Sequence, residues 1–144
     1  MSKIKFDYVV AEEVAVEELK DFIEEITVEE ITAEEVLSSY PQVVKAIRFG
    51  LLLLNGDDSS KKPEYTLREP ILTETGGVAY AKLDINTRIT FNEKKRLAKG
   101  LKKGDDIEIG GRLLAHSTGL TTSLLDKLSR FDFKVLEQLF TVFV

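Results

Sequence analysis

Apolar residues recur along the first third of this chain with helical spacing, and short polar signals interrupt them. One apolar stripe predicts a first helix at about residues 12–26. Thr27 and Thr32 are each followed three residues later by glutamate, a capping box that predicts a new helix start. Another helix is predicted from Gln42 to about Leu54, while the imperfect alternation of residues 4–10 predicts an edge strand.

The middle of the chain changes to an extended pattern after a polar run. Residues 55–63 are polar and turn-forming, so we interpret them as a linker. Tyr65–Thr75 and Val78–Ile89 are predicted strands, and Gly76-Gly77 would supply the positive backbone angles of a tight hairpin. Alternation in the second strand predicts a buried face. That face comprises Ala79, Ala81, Leu83, Ile85 and Thr87.

A basic helix is predicted next, from about Phe91 to Lys103, with a Thr90 capping box at its start and Gly104 at its end. Asp105 or Asp106 would cap the following helix. Gly110-Gly111 near the start of that helix indicates either a closely packed second backbone or a short strand at residues 107–109, and helix is favoured.

The final third predicts a helix, a turn and two more helices. Gly119 is placed to end the first in a left-handed conformation. Thr121 or Thr122 would cap a short helix, and Ser129 would cap the last one. The last helix has an apolar face of helical spacing, which predicts burial. It consists of Phe133, Leu136, Phe140 and Phe143.

These elements predict a small α+β domain, mostly helical with one β-hairpin. A single domain is expected over residues 1–144. It comprises an acidic helical part (1–54), the linker (55–63) and a part built from the hairpin and helices (64–144).

Composition narrows the class of protein. The chain has 144 residues, 43% hydrophobic and 31% charged, with a net charge of −5, so a soluble globular protein is expected and a whole-molecule polyanion binder is disfavoured. Absence of cysteine removes disulfides and thiolate chemistry. The longest apolar run is too short for a membrane span, so a cytoplasmic protein, in the host cytoplasm if viral, is expected.

No pattern of catalytic, cofactor-binding or metal-ligating residues emerges. His116 is the sole histidine, and we interpret it as a helix-end residue bonded to a backbone carbonyl or solvent. The paired glutamates of the first 35 residues suit a solvated helix face, and neither Gly-Gly pair has phosphate-loop spacing. The sequence therefore favours a protein that is not an enzyme and takes no cofactor.

Two segments carry a resemblance to a known family. One is Tyr65-Thr66-Leu67-Arg68-Glu69-Pro70, and the other lies in the final third. Its matching positions are Leu113, Leu114, Thr118, Gly119, Leu120, Leu125, Leu128, Asp132, Phe133, Leu136 and Phe140. Together they resemble the tail assembly chaperones of Mu-type and P2-type bacteriophages.

The resemblance implies a non-enzymatic chaperone that binds the tape measure protein and helps recruit tail tube subunits. Two alternatives stay open: a nucleic-acid-binding regulator that uses the basic helix 91–103, although nucleic acid is disfavoured, and a structural head or tail subunit of a phage particle. The candidate partner-binding residues are Leu136, Leu139, Phe140, Phe143, Lys95, Lys99 and Lys102.

Charge is also distributed unevenly. Residues 11–35 contain eleven acids and one base, whereas 91–103 is strongly basic. If the two stretches meet within one chain, the contact contributes little. If they meet between chains, the contact is head to tail. The resemblance implies a coat that covers a long partner, so a concentration-dependent, salt-sensitive homo-oligomer is predicted.

Overall fold

A computed structural model describes residues 7–55, 62–102 and 104–142, and these ranges form an α+β fold. The class confirms the prediction, but the described sheet has three antiparallel strands in the order β1-β2-β3 instead of a hairpin alone. The helices are α1 (Glu12–Thr27), α2 (Ala33–Ser39), α3 (Pro41–Arg48), α4 (Phe91–Leu97), α5 (Asp106–Thr118), α6 (Thr122–Leu125) and α7 (Arg130–Phe140). The strands are β1 (Leu52–Leu53), β2 (Glu64–Leu72) and β3 (Val78–Asp84).

The acidic first part forms jointed helices, as predicted. Thr32 caps α2 with a complete capping box. Thr27 does not start a helix: its hydroxyl donates to the Ile23 carbonyl oxygen at 2.8 Å, within α1. The chain then turns at Val28, which has a left-handed φ of 57°. Of the capping boxes predicted at Thr27 and Thr32, only the one at Thr32 is formed.

The helix predicted from Gln42 to Leu54 is shorter in the structure and ends at Arg48. Gly50 adopts a φ of 77°, which reverses the chain, and the next residues pair with β2 as β1. The apolar run at 51–54 thus serves a sheet and not a helix face. A run of this length does not distinguish the two structures by periodicity.

The predicted edge strand at residues 4–10 is not formed by residues 7–10, and 4–6 lie outside the described residues. The amides of Val9 and Val10 both donate to the Arg48 carbonyl oxygen, at 2.7 and 3.1 Å. The segment thereby closes over the end of α3.

The hairpin of β2 and β3 is confirmed, but its loop spans Thr73 to Gly77, whose ends are joined by an amide-to-carbonyl bond of 2.7 Å. Gly76 alone supplies the positive φ, at 88°. Of the predicted buried face, only Leu83 and Ile85 are buried; Thr87 is half-buried, and the two alanines are exposed. The hairpin tip therefore extends beyond the core.

One hydrophobic cluster contains residues from both sides of the predicted linker. Helix α7 packs against α3 and β2. Its buried side chains include Val135, Leu136 and Leu139. The Gln138 side-chain oxygen also accepts from the Gln42 amide at 2.9 Å, at the start of α3.

Within the described ranges, every helix is too short or too polar to cross a bilayer.

Candidate partner-binding groove

An open groove lies where α5, α6 and α7 meet, with a volume of about 600 Å³. We call it the α5–α7 groove. Leu114 and Leu125, both buried, form part of its lining, and Phe133 is 37% exposed. The apolar residues that line it are Ile107, Leu114, Leu125, Phe133 and Phe140.

On the α5 side of this groove the helix backbone is bare at two positions, because Gly110 and Gly111 lie there and have no side chains. A Cβ atom placed on either glycine would meet no heavy atom within 4 Å, so the close backbone contact considered from the sequence is not made by the described residues. The favoured helical interpretation of residues 107–109 is confirmed. Ile107, one turn earlier, is 94% exposed. An apolar side chain and two bare backbone positions thus face open space.

The charged residues that line the groove are all acidic. Glu108, Asp126 and Glu137 lie there together with Thr122 and Ser123. Glu108 forms an ion pair with Arg112 on its own helix, with 3.5 Å between the carboxylate oxygen and Nε. Asp126 and Glu137 form no ion pair with any residue that the structure describes. The groove is therefore apolar with an acidic rim.

A buried carboxylate fixes the α7 wall of the groove. Asp132 is 0% exposed and accepts hydrogen bonds from the Tyr65 hydroxyl and from the amides of Arg68 and Glu69, the latter two at 3.0 and 3.2 Å. The Ser129 hydroxyl also donates to it at 2.8 Å. Four donors from the strand and from the helix cap satisfy this carboxylate, so α7 has a fixed position on β2.

Burial also affects the tyrosine of this cluster. Desolvation, reinforced by the hydrogen bond to Asp132, raises the pKa of Tyr65 well above its usual range. The hydroxyl therefore remains a donor to the carboxylate at alkaline pH values at which an exposed tyrosine ionises.

The predicted apolar partner-binding residues have different surroundings. Leu136 and Leu139 are 2% and 1% exposed, so they pack inside this chain and are not open to a partner in this conformation. Phe140 is half-buried and lines the groove. Phe143 lies outside the described residues. Phe133, predicted to be buried, instead faces the groove. The predicted burial of the last helix's apolar face is confirmed for Leu136, and Leu139 and Val142, which is 5% exposed, are buried as well.

The predicted basic helix is divided. It ends at Leu97, and a turn follows in which Gly100 has a φ of 84°, so Lys95 lies on α4 whereas Lys99 and Lys102 lie beyond it. All three lysines are exposed. The capping box of Thr90 and Glu93 is confirmed. We call residues 91–102 the α4 segment.

Polar contacts hold the α4 segment on α5. Nη1 of Arg112 donates to the carbonyl oxygens of Leu97 and Lys99, at 3.0 and 3.2 Å. Nε2 of His116 lies 3.3 Å from a Glu93 carboxylate oxygen, so His116 contacts a carboxylate and not the backbone carbonyl expected. No residue of α4 itself is buried. The segment is attached by few contacts.

The described residues contain no group of three or more carboxylates or histidines placed to hold a metal ion. The Ser117 hydroxyl donates to the Leu114 carbonyl oxygen at 2.9 Å within α5, so it is engaged by its own helix.

A scan against protein-family models, a search of curated proteins and a search of solved structures each find no match for this chain.

Proposed function

We propose that this protein is a non-enzymatic assembly chaperone that binds an amphipathic helix of another protein in the α5–α7 groove. The observation that carries the proposal is the groove itself, an apolar surface beside two helical glycines that no described residue covers. The resemblance to phage tail assembly chaperones implies the partner: the tape measure protein, with tail tube subunits recruited afterwards.

The physical fit is that of a helix lying in a groove. Such ligands insert apolar side chains at helical spacing into an apolar surface, and aromatic residues commonly provide the strongest contacts. Phe133 and Phe140 are such residues here. Without side chains, Gly110 and Gly111 admit a second backbone closely. The acidic rim supports solubility while the groove is empty.

Duplex DNA fits the structure less well. A recognition helix must reach base edges over several turns with donors aligned on one face. The basic helix has seven residues, and Lys99 and Lys102 lie outside it.

The test uses a fluorescent amphipathic peptide with leucine and phenylalanine at helical spacing and lysine elsewhere, measured by anisotropy. Gly111→Leu should weaken binding by at least about tenfold, because the new side chain fills the groove without entering the core. Glu13→Leu adds the same side chain to an exposed position of α1 and should leave binding unchanged. Equal affinities for all three proteins, or no binding to the wild type, would refute the proposal.

Co-expression identifies the partner. A tape measure protein encoded beside this chain should copurify with the wild type and with Glu13→Leu, but not with Gly111→Leu. Recovery with all three would place its contact elsewhere on the chain.

A further inference from the structure

Among the described residues, the α4 segment presents another exposed surface. Phe91 is 75% exposed, and Nζ of Lys95 lies 5.4 Å from the centre of its ring. The bases of this segment form no ion pair with any residue in the described ranges. They are Lys94, Lys95, Arg96, Lys99 and Lys102. An exposed aromatic residue among unpaired bases is the reverse of the α5–α7 groove, which is apolar with unpaired acids at its rim.

We infer that the α5–α7 groove of one copy receives the α4 segment of a second copy, with Phe91 on its apolar surface and the lysines beside Asp126 and Glu137. The inference rests on the proposed function in using the same groove. It adds that self-association occupies the groove until the partner helix displaces it.

Helix α5 prevents a chain from filling its own groove. Arg112 and His116, four residues apart, hold the α4 segment on one side of α5. Ile107, Gly110, Gly111 and Leu114 recur at helical spacing and line the groove. The 3.6-residue period directs these two sets to opposite sides of the helix. While α4 is held on α5, the two surfaces can therefore meet only between copies.

The acidic stretch of residues 12–35 is the competing site for the α4 segment. Its ion pairs in the structure are Lys20 with Glu24, at 2.9 Å, and Glu12 with Arg48, at 3.5 Å. No ion pair in the described ranges joins this stretch to the α4 segment. The openings that this stretch lines suit a basic segment with an exposed aromatic residue less well: one of about 720 Å³ includes the bases Lys62 and Arg88, and one of about 230 Å³ has only Phe22 and Leu54 as apolar lining residues. The α5–α7 groove has five apolar lining residues and no base, so the observations favour the groove.

Contact between two different surfaces is heterologous, and it extends into a ring or a filament. A mixing experiment tests this directly. One variant, Phe91→Ser with Lys95→Glu and Lys99→Glu, loses the α4 surface and keeps the groove. The other, Gly111→Leu, loses the groove and keeps the α4 surface.

In sedimentation velocity, wild-type assemblies should grow with protein concentration and shrink with salt. Each variant alone should be monomeric. Their mixture should form a one-to-one dimer and nothing larger, because only one productive pair of surfaces remains. Lys45→Glu with Lys62→Glu reverses two exposed charges elsewhere and should assemble like the wild type. Circular dichroism checks that every variant is folded.

Three results would overturn the inference: a monomeric wild type at all concentrations, assembly of either variant alone, or a mixture that stays monomeric. Assembly of Gly111→Leu that charge reversal in residues 12–35 abolishes would assign the contact to the acidic stretch instead. Peptide binding to the Phe91→Ser variant separates the two ideas. If the peptide binds while the wild type stays monomeric, the proposed function stands and this inference fails.

Discussion

Helices α7 and α4 are attached to the same fold in opposite ways. At α7, a fully buried carboxylate accepts four hydrogen bonds, and three side chains enter the core. At α4, no side chain is buried, and two residues of α5 supply the polar contacts described above. We therefore expect α7 to determine whether the protein folds, and α4 to be able to separate from α5 without global unfolding.

Asp132→Ala should have the largest effect. It leaves the buried Tyr65 hydroxyl and two partly buried strand amides without their acceptor. A buried unsatisfied donor costs about 1–3 kcal/mol and the amides add to this, so a total loss of about 3 kcal/mol is expected. Urea denaturation measures the change. Asp132→Asn keeps the shape and one carbonyl acceptor, so its loss should be smaller. A loss below about 1 kcal/mol for the alanine variant would show that α7 does not depend on this cluster.

Tyr65→Phe should cost about 1.5–3 kcal/mol at neutral pH, since it removes a hydrogen bond to a charged acceptor. Because the pKa of Tyr65 is raised in the folded state, its hydroxyl stays protonated there and ionises in the unfolded chain above about pH 10. Stability present below that pH should therefore fall as the pH rises further. Denaturation from pH 8 to 11 should show a steeper fall for the wild type than for Tyr65→Phe, and parallel curves would contradict this.

Gly110→Ala should stabilise the protein by up to about 1 kcal/mol, because alanine favours a helix interior and the new methyl group enters open space. Thermal denaturation, with Gly76→Ala as a control, tests it. Gly76 has a φ of 88°, so the control should be destabilised. A lower melting temperature for Gly110→Ala would contradict the open space that the structure shows beside Gly110.

Matched capping boxes give the most sensitive comparison. Thr32 caps α2 and Thr90 caps α4, and in each box the amide of the glutamate three residues later donates to the threonine hydroxyl at 3.1 Å. Thr32→Ala should lower the free energy of unfolding by about 1 kcal/mol, because α2 carries the fully buried Val36. Thr90→Ala should leave global unfolding nearly unchanged while hydrogen exchange in residues 91–102 becomes faster. Equal global losses would show that α4 unfolds together with the rest of the protein.

The sequence predicted the parts of the fold that depend on nearby residues. The amphipathic stripe of α1, the boxes at Thr32 and Thr90, and the hairpin around Gly76 all involve contacts a few positions apart. Their residue types alone therefore indicate the structure.

The parts that depend on distant residues were missed. The apolar run at 51–54 was predicted to be helical, because the residue with which Leu52 pairs, Tyr65, lies beyond the linker and gives no local signal. Asp132 was recognised only as part of a resemblance, and nothing local indicates that its acceptors serve a strand more than 60 positions earlier. Gly110-Gly111 did indicate an irregular position in the predicted helix. The groove beside these glycines, however, depends on how α6 and α7 pack against α5.

The contacts of α7 also bear on when this protein can fold during synthesis. Gln138 supplies the acceptor for an amide 96 positions earlier, and Asp132 supplies those for amides 64 and 63 positions earlier. Until α7 has left the ribosome, the start of α3 and the middle of β2 lack these partners, and the apolar surfaces they adjoin stay open. Contacts of such high sequence separation slow folding, because the intervening loops must close first. We therefore expect the nascent chain to keep apolar surface exposed until its last described helix emerges.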